Sequence, residues 1–307
     1  MNQENNVILL AGPTASGKSK LAIELAKKVN GEIINADSMQ VYKEISILTS
    51  RPPKKDMNII KHHLYGFNSV KYKFSTGHWL RIVVDKIKEK WHQNRTPILV
   101  GGTGLYFKAL TDGLAEVPHI PNKLRNEIRK LHSEIGQKKF YKELIKLDPL
   151  AKKFLLESDS QRSMRAYEVK KLTNKSLFIF TKKTKPHFDN KVFKKLFINI
   201  PRELLNKKIN KRVDKMFKDG AIAEVERFLR MIVNREFCSN KIIGISEIRD
   251  YVDKKTTLIA TKELIRLRTR QYAKRQFTWA RGHMRYWEMI YSPNFKDLFK
   301  QAINKIS

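Results

Sequence analysis

The sequence predicts an α/β protein: a parallel sheet flanked by helices, with a helical insertion and a helical C-terminal region. Three observations predict it. Short apolar runs alternate with stretches of helical period in the first third of the chain, and each run ends at a glycine or an acidic residue. The texture turns charged and helical after Gly113. A further short apolar run, FINI at 197–200, then restores the strand signal.

VILLA at residues 7–11 is short and wholly apolar, as a strand buried on both faces requires. Residues 18–29 place Leu21, Ala22, Leu25, Ala26 and Val29 on one helical face. EIINA at 32–36 reads as a second strand, and residues 79–91 as a helix through Leu80, Val83, Val84 and Ile87. PILV at 97–100 reads as a third strand, running into a glycine-rich turn at 101–104. Residues 118–183 are expected to form a helical insertion domain, and residues 1–117 with 184–307 the core and a basic C-terminal region. From Glu203 to Tyr291 the chain reads as helical.

The 307 residues hold 63 Lys and Arg against 30 Asp and Glu, a formal charge of +33. Lysine-rich codon usage accounts for part of this, but the clustering of arginine favours a polyanionic partner. One cysteine, Cys238, excludes an internal disulfide, and no Cys/His spacing suggests zinc. His62 and His63 are adjacent, so on a strand they point to opposite faces, which suits structure better than metal binding. No apolar stretch near the N-terminus is long enough to span a bilayer. A cytoplasmic monomer without membrane attachment is expected.

Gly12-Pro13-Thr14-Ala15-Ser16-Gly17-Lys18-Ser19 fits G-x-x-x-x-G-K-[ST] between an expected strand and an expected helix. This makes the core P-loop NTPase-like. Backbone N–H groups and the helix N-terminus favour an anion there. Lys18 adds a full charge, and Ser19 can bind Mg²⁺ or a phosphate oxygen. The loop specifies a ligand containing diphosphate and does not specify ATP.

Asp37 follows the second strand and should face the same cleft, as a metal ligand, a base or the N-cap of a new helix. The third strand ends in Gly101-Gly102-Thr103-Gly104, where a P-loop kinase more often carries an acid. These glycines suit either close approach of a ligand or a tight turn at positive φ.

GPTASGKS, ADSMQVY and PILVGGTGLYFKAL resemble, in order and spacing, blocks of the tRNA dimethylallyltransferases. So do DSQRSMRAYEV from Asp159, INKRVD from Ile209 and RQYAKRQFTW from Arg270, so the resemblance spans nearly the whole chain. There are departures. The family's I-G-T-A-K-P reads Ile47-Leu48-Thr49-Ser50-Arg51-Pro52, and its I-G-Y-K-E reads Ile243-Gly244-Ile245-Ser246-Glu247.

The resemblance implies dimethylallyl diphosphate and the anticodon stem-loop of tRNA as substrates. It implies Asp37 as the base that deprotonates the adenine amino group. Lys18, the P-loop and Mg²⁺ would stabilise the leaving diphosphate, with Arg212 as a further clamp. The target adenine must be flipped out of its stack. Asp37, Ser38, Met39, Gln40, Thr103, Gln161, Arg162, Ser163, Met164 and Arg165 are expected to read or hold the flipped region. A helix over residues 262–285 carries Arg266, Arg270 and Lys274 on one side, expected toward RNA, with its aromatics mostly buried. A P-loop small-molecule kinase and a non-catalytic RNA-binding protein are the competing readings.

Overall fold

The computed structural model describes residues 5–234 and 236–307. They divide into two compact units, one of the residues before Asp112 together with Phe188–Ser307, the other Asp112–His187.

The first unit is built on six parallel strands: β1 (Val7–Ala11), β2 (Gly31–Asn35), β3 (His62–His63), β4 (Thr96–Gly101), β5 (Phe193–Ile198) and β6 (Glu288–Ile290). Their order is β3-β2-β4-β1-β5-β6. β1 lies between β4 and β5, with Leu10 opposite Val100 on one side and Leu196 on the other. The chain therefore leaves β1 toward one edge and later returns to build the other. The carboxyl end of β1 is the switch point at which parallel sheets bind ligands.

Between strands run α1 (Lys18–Lys28), α2 (Lys54–Ile59), α3 (Thr76–His92) and α4 (Gly104–Asp112). α1 buries Leu21, Ala22, Ile23, Leu25 and Ala26, the face its periodicity sets. Truncating Leu21, which is wholly buried, would cost about 2–5 kcal/mol. Ser75 caps α3 by accepting from the His78 N–H.

β5 starts four residues before the expected FINI strand, and Phe193-Lys194-Lys195 masked its start. Both lysines are half-buried in the strand and present an apolar stem to it. The stretch from 203 to 291 is not helical throughout, since β6 extends the sheet within it.

α5 (Asn122–Leu147), α6 (Ser160–Thr173) and α7 (Leu177–Lys182) belong to the second unit. α5 is broken at Gly136, whose φ is 73°. Leu144, Ala151, Leu155, Ala166 and Phe178 form this unit's core. Asp159 caps α6.

After β5 come α8 (Arg202–Lys218), α9 (Ala221–Leu229), α10 (Ile245–Val252), α11 (Leu258–His283) and, beyond β6, α12 (Phe295–Ile306). No helix among the described residues is long and apolar enough to cross a membrane.

Candidate active site

Residues 12–19 wrap between β1 and α1. Gly17 adopts φ 96° at the N-cap of α1, where a side chain would be strained. The Lys18 ammonium donates to the carbonyls of Gly12 and Pro13 at 2.8 and 2.7 Å. These two bonds leave one N–H of the ammonium for a ligand. The Ser16 hydroxyl is buried without a hydrogen-bond partner among the described residues. An orphan buried hydroxyl is costly until something fills its geometry, and a phosphate oxygen would do so.

Asp37 follows β2 after one residue, Ala36, and no helix starts there, so the N-cap reading does not hold. The residue sits in a reciprocal turn instead. Its N–H donates to Asn35 Oδ1 at 2.8 Å, and Asn35 Nδ2 donates to its carbonyl at 2.9 Å. Its Oδ1 accepts from the Met39 N–H at 2.9 Å. Ser38 N–H donates to Thr103 Oγ1 at 2.9 Å, tying this turn to the end of β4.

Arg212 reaches in from α8. Its guanidinium donates to Thr14 Oγ1 at 2.9 Å in the phosphate loop and to the Thr49 carbonyl at 3.2 Å, while Nε is buried with no hydrogen-bond partner among the described residues. Burial pulls the Lys18 pKa down to about 7, partly opposed by the Asp37 charge and assisted by Arg212. Burial likewise lowers Arg212 to about 10, again opposed by Asp37. Burial first, and the Asp37 charge second, push the hydroxyls of Tyr65, Tyr106 and Tyr272 up. One carboxylate is thus felt by groups from the phosphate loop, α8, the segment after β3, α4 and α11. The Asp37 charge acts on both Lys18 and Arg212 and on three tyrosines whose hydroxyls stay protonated. The arrangement can hold a polyanion beside a proton acceptor.

The IPP transferase family pattern matches residues 40–283. A tRNA dimethylallyltransferase from Pelagibacter ubique is 51% identical over 287 residues, covering 94% of this chain and 92% of that protein. One from Rickettsia bellii is 42% identical over 99% of this chain and 96% of its own length. The chain belongs to the IPP transferase family. Among solved structures, the tRNA isopentenylpyrophosphate transferase of Bacillus halodurans superposes with a TM-score of 0.69 at 28% identity, each chain covered to 98%. A eukaryotic dimethylallyltransferase acting on tRNA gives 0.76 at 29% identity, over 90% of this chain and 69% of that one.

In this IPP transferase the glycines at the end of β4 do not serve a tight turn at positive φ. None of Gly101, Gly102 and Gly104 has positive φ. A Cβ at Gly101 would lie 1.9 Å from the Ala36 carbonyl oxygen, at Gly102 2.1 Å from Gln276 Nε2, and at Gly104 2.1 Å from the Trp279 ring. They let other parts of the protein approach the backbone closely. Gln276, on α11, accepts from the Thr14 N–H at 2.8 Å and donates to the Gly102 carbonyl at 2.9 Å. It clamps the phosphate loop to the end of β4. Sequence reasoning missed Gln276, Thr49 and the three tyrosines as site residues. Gln276 and Tyr272 stood inside a family block, but no local pattern marked them.

Several expected RNA contacts are engaged inside the protein. Gln40 spends its amide N–H groups on the carbonyls of Thr49 and Ser50. Thr103 is held by Ser38 and by a side-chain hydrogen bond with Tyr272. Met39 is half-buried against the core. In the second unit, Gln161 and Arg162 are exposed, Met164 and Arg165 half-buried, and Ser163 fully buried. Arg162 lies 3.5 Å from Asp159, and Arg165 3.1 Å from Glu168.

The basic stripe of α11 also departs from expectation. Arg266 pairs with Asp214, and Arg270 donates to Asn210 at 2.8 Å, so both pack on α8 and do not face outward. Arg268, Lys274, Arg275, Arg281 and Arg285 are the exposed cations of this stretch, and Leu264 and Leu267 are exposed beside them. The missing signal was the carboxylate and amide on α8, 52 and 60 residues away in sequence. His62 and His63 are held as structure: His62 Nδ1 contacts the Ile60 carbonyl at 2.7 Å, and His63 Nε2 contacts Glu32 at 2.7 Å.

Proposed function

We infer that this IPP transferase moves a dimethylallyl group from dimethylallyl diphosphate to the exocyclic N6 of an adenosine on the 3′ side of the tRNA anticodon, releasing diphosphate. The observation that carries the reading is that Lys18 and Arg212, which is bonded to Thr14 of the phosphate loop, both lie within reach of the Asp37 charge. The donor's C–O bond breaks as the new C–N bond forms. The adenine nitrogen becomes cationic and gives its proton to the Asp37 carboxylate. Negative charge grows on the leaving oxygen. The phosphate-loop amides, the Ser16 hydroxyl, the Lys18 ammonium and the Arg212 guanidinium are placed to receive it.

Protonated Tyr65 and Tyr272 offer hydrogen-bond donors and flat rings to a flipped base, whose unstacking costs a few kcal/mol, while Tyr106 is buried and stacked on Trp79. Gln161 and Arg162 offer an exposed amide and cation to the RNA. Ser19 is exposed on the first turn of α1 beside Lys18. With the oxygens of the diphosphate itself it would hold Mg²⁺, which supplies further positive charge. We place the reaction in the cytoplasm and expect a monomer to carry it out.

The kinase reading loses support at the end of β4, where Gly101 packs against Ala36 and no acidic residue stands. Mass spectrometry of nucleosides from tRNA incubated with the protein and dimethylallyl diphosphate tests the proposal. A five-carbon gain on adenosine is expected. Unmodified adenosine, or phosphate transfer from ATP to a small molecule, would overturn it.

A further inference from the structure

Asn35 is the last residue of β2 and stands two positions before Asp37. It is wholly buried, which an amide side chain tolerates only when its polar groups are satisfied. Here they are. Its Oδ1 accepts from the Asp37 N–H at 2.8 Å. Its Nδ2 donates to the Asp37 carbonyl at 2.9 Å and to the Leu64 carbonyl at 3.0 Å. An amide offers two N–H groups, and both are spent.

The residue is itself held from behind. Its main chain lies opposite Val100 of β4, and its carbonyl accepts from the Trp79 indole N–H at 2.9 Å. Trp79, on α3, is wholly buried and stacked on Tyr106 of α4, with ring centres 4.2 Å apart. Ala36, between Asn35 and Asp37, donates its N–H to the Val100 carbonyl at 2.8 Å. On the other side the amide reaches Leu64, which follows β3 at φ 62°, a conformation that bulky residues rarely adopt. Tyr65, the next residue, is one of the groups that feel the Asp37 charge. One amide therefore ties the backbone of Asp37 to the interior of the sheet and to the segment that carries Tyr65.

We propose that Asn35 is a positioning residue for prenyl transfer: its amide fixes the backbone of Asp37 and so aims the carboxylate at the adenine amino group. The inference rests on the proposed function, in which Asp37 takes the proton. The argument is one of leverage. A carboxylate stands two rotatable bonds from its backbone, so its direction follows that of the Asp37 main chain. The N–H and the carbonyl of that residue are bonded by the same side chain. Turning the Asp37 backbone would break both bonds at once and leave the buried amide unpaired. Misplacing a reacting group by about 1 Å costs on the order of 10²-fold in rate. Lys18 is held by the carbonyls of Gly12 and Pro13 instead, so the diphosphate end of the reaction should not depend on Asn35.

Asn35→Ala and Asn35→Ser, each alone and each combined with Asp37→Ala, make the test. Steady-state prenyl transfer to an anticodon stem-loop should show Asn35→Ala lowering kcat by about 10²-fold. The KM for dimethylallyl diphosphate should stay within about twofold of wild type, since the lost term belongs to the chemical step. Serine keeps a hydroxyl that accepts the N–H two residues on, more weakly than an amide does, and should restore roughly tenfold of the loss. In the Asp37→Ala background neither substitution should lower kcat further, because the carboxylate through which Asn35 acts is gone. A residue needed only for the fold would slow the double variant below Asp37→Ala and weaken dimethylallyl diphosphate as well. Hydrogen exchange of the Asp37 amide should quicken in Asn35→Ala while residues 12–19 stay protected. If Asn35→Ala does not fold, Asn35→Ser carries the same cycle. Wild-type kcat in both Asn35 variants beside a slow Asp37→Ala, or a further loss in the double variants, overturns the role of Asn35 alone. A wild-type protein that transfers no prenyl group overturns the transferase reading and this role with it.

Discussion

The phosphate loop, residues 12–19, and the acidic loop, residues 37–52, follow β1 and β2 of one sheet, yet they are held in different ways. The phosphate loop is largely self-supporting: Lys18 bonds the carbonyls of Gly12 and Pro13, Ser16 N–H donates to Pro13, and a left-handed glycine starts the helix. The acidic loop depends on distant residues. Glu224 of α9, buried, accepts from the N–H groups of Ser46 and Ile47 at 2.7 and 2.8 Å and of Leu48 at 3.0 Å. Arg212 holds the Thr49 carbonyl, and Arg51 turns inward to the carbonyls of Tyr42 and Lys43 at 3.1 Å each. A loop that must cradle a compact anion can be built from its own backbone. A loop that must aim one carboxylate past a nucleobase needs outside bracing.

The largest expected effect breaks the comparison at its chemical end. Asp37→Ala should lower kcat by about 10²- to 10⁴-fold, while isothermal titration with dimethylallyl diphosphate gives a nearly unchanged Kd, because the phosphate loop does not need it. Unchanged turnover would end its role as base. Next comes Arg212→Ala, at a side chain that touches both loops. It should cost about 10²- to 10³-fold in kcat, the scale of one lost donor to a growing oxyanion. It should also weaken inorganic diphosphate, which Asp37→Ala should not. If both variants change diphosphate affinity alike, the two loops are not separable as described.

These differences explain what was legible in the sequence. The phosphate loop's place was, because its motif is eight contiguous residues between a strand and a helix. Asp37 was legible as a position past a strand, but its turn was not, since Asn35 could not be seen to take the place of a helix cap. Arg212 was reached only through family resemblance; by local pattern it is one basic residue on a basic helix. Gln276 binds the phosphate loop across 262 residues, and Glu224 braces the acidic loop across 176 to 178. No periodicity reports such a pairing. The sheet's interior strands were legible from apolar runs, while β6, three residues with Glu288 and Met289 exposed, and the lysine-bearing start of β5 were not.

A smaller effect sharpens the bracing argument. Glu224→Ala leaves three loop N–H groups without their acceptor, at about 1–3 kcal/mol for each that water cannot reach. Chemical denaturation should show a loss of that order. Hydrogen exchange should show residues 46–48 opening far more than residues 12–19. Equal protection of both loops in the variant would mean that the acidic loop is braced elsewhere.

The mildest test uses pH and the phosphate loop alone. Lys18 has its pKa depressed from 10.5 to about 7 in the ligand-free protein. Between those values the folded protein binds fewer protons than the unfolded chain, so this group makes stability rise with pH across the window. The burial penalty is fully present below about 7 and is relieved as pH rises toward 10.5. Ligand binding has the opposite sign. A diphosphate beside the ammonium favours its charged form, so binding above pH 7 must take up a proton. The Kd for dimethylallyl diphosphate should therefore rise by up to tenfold per pH unit above about 7 and be flat just below it, once the titration of the ligand is subtracted. Lys18→Met should bind more weakly and lose this slope. A wild-type Kd that stays level from pH 7 to 9 would mean that the ammonium is not what the diphosphate meets, and that the backbone of the loop alone carries the anion.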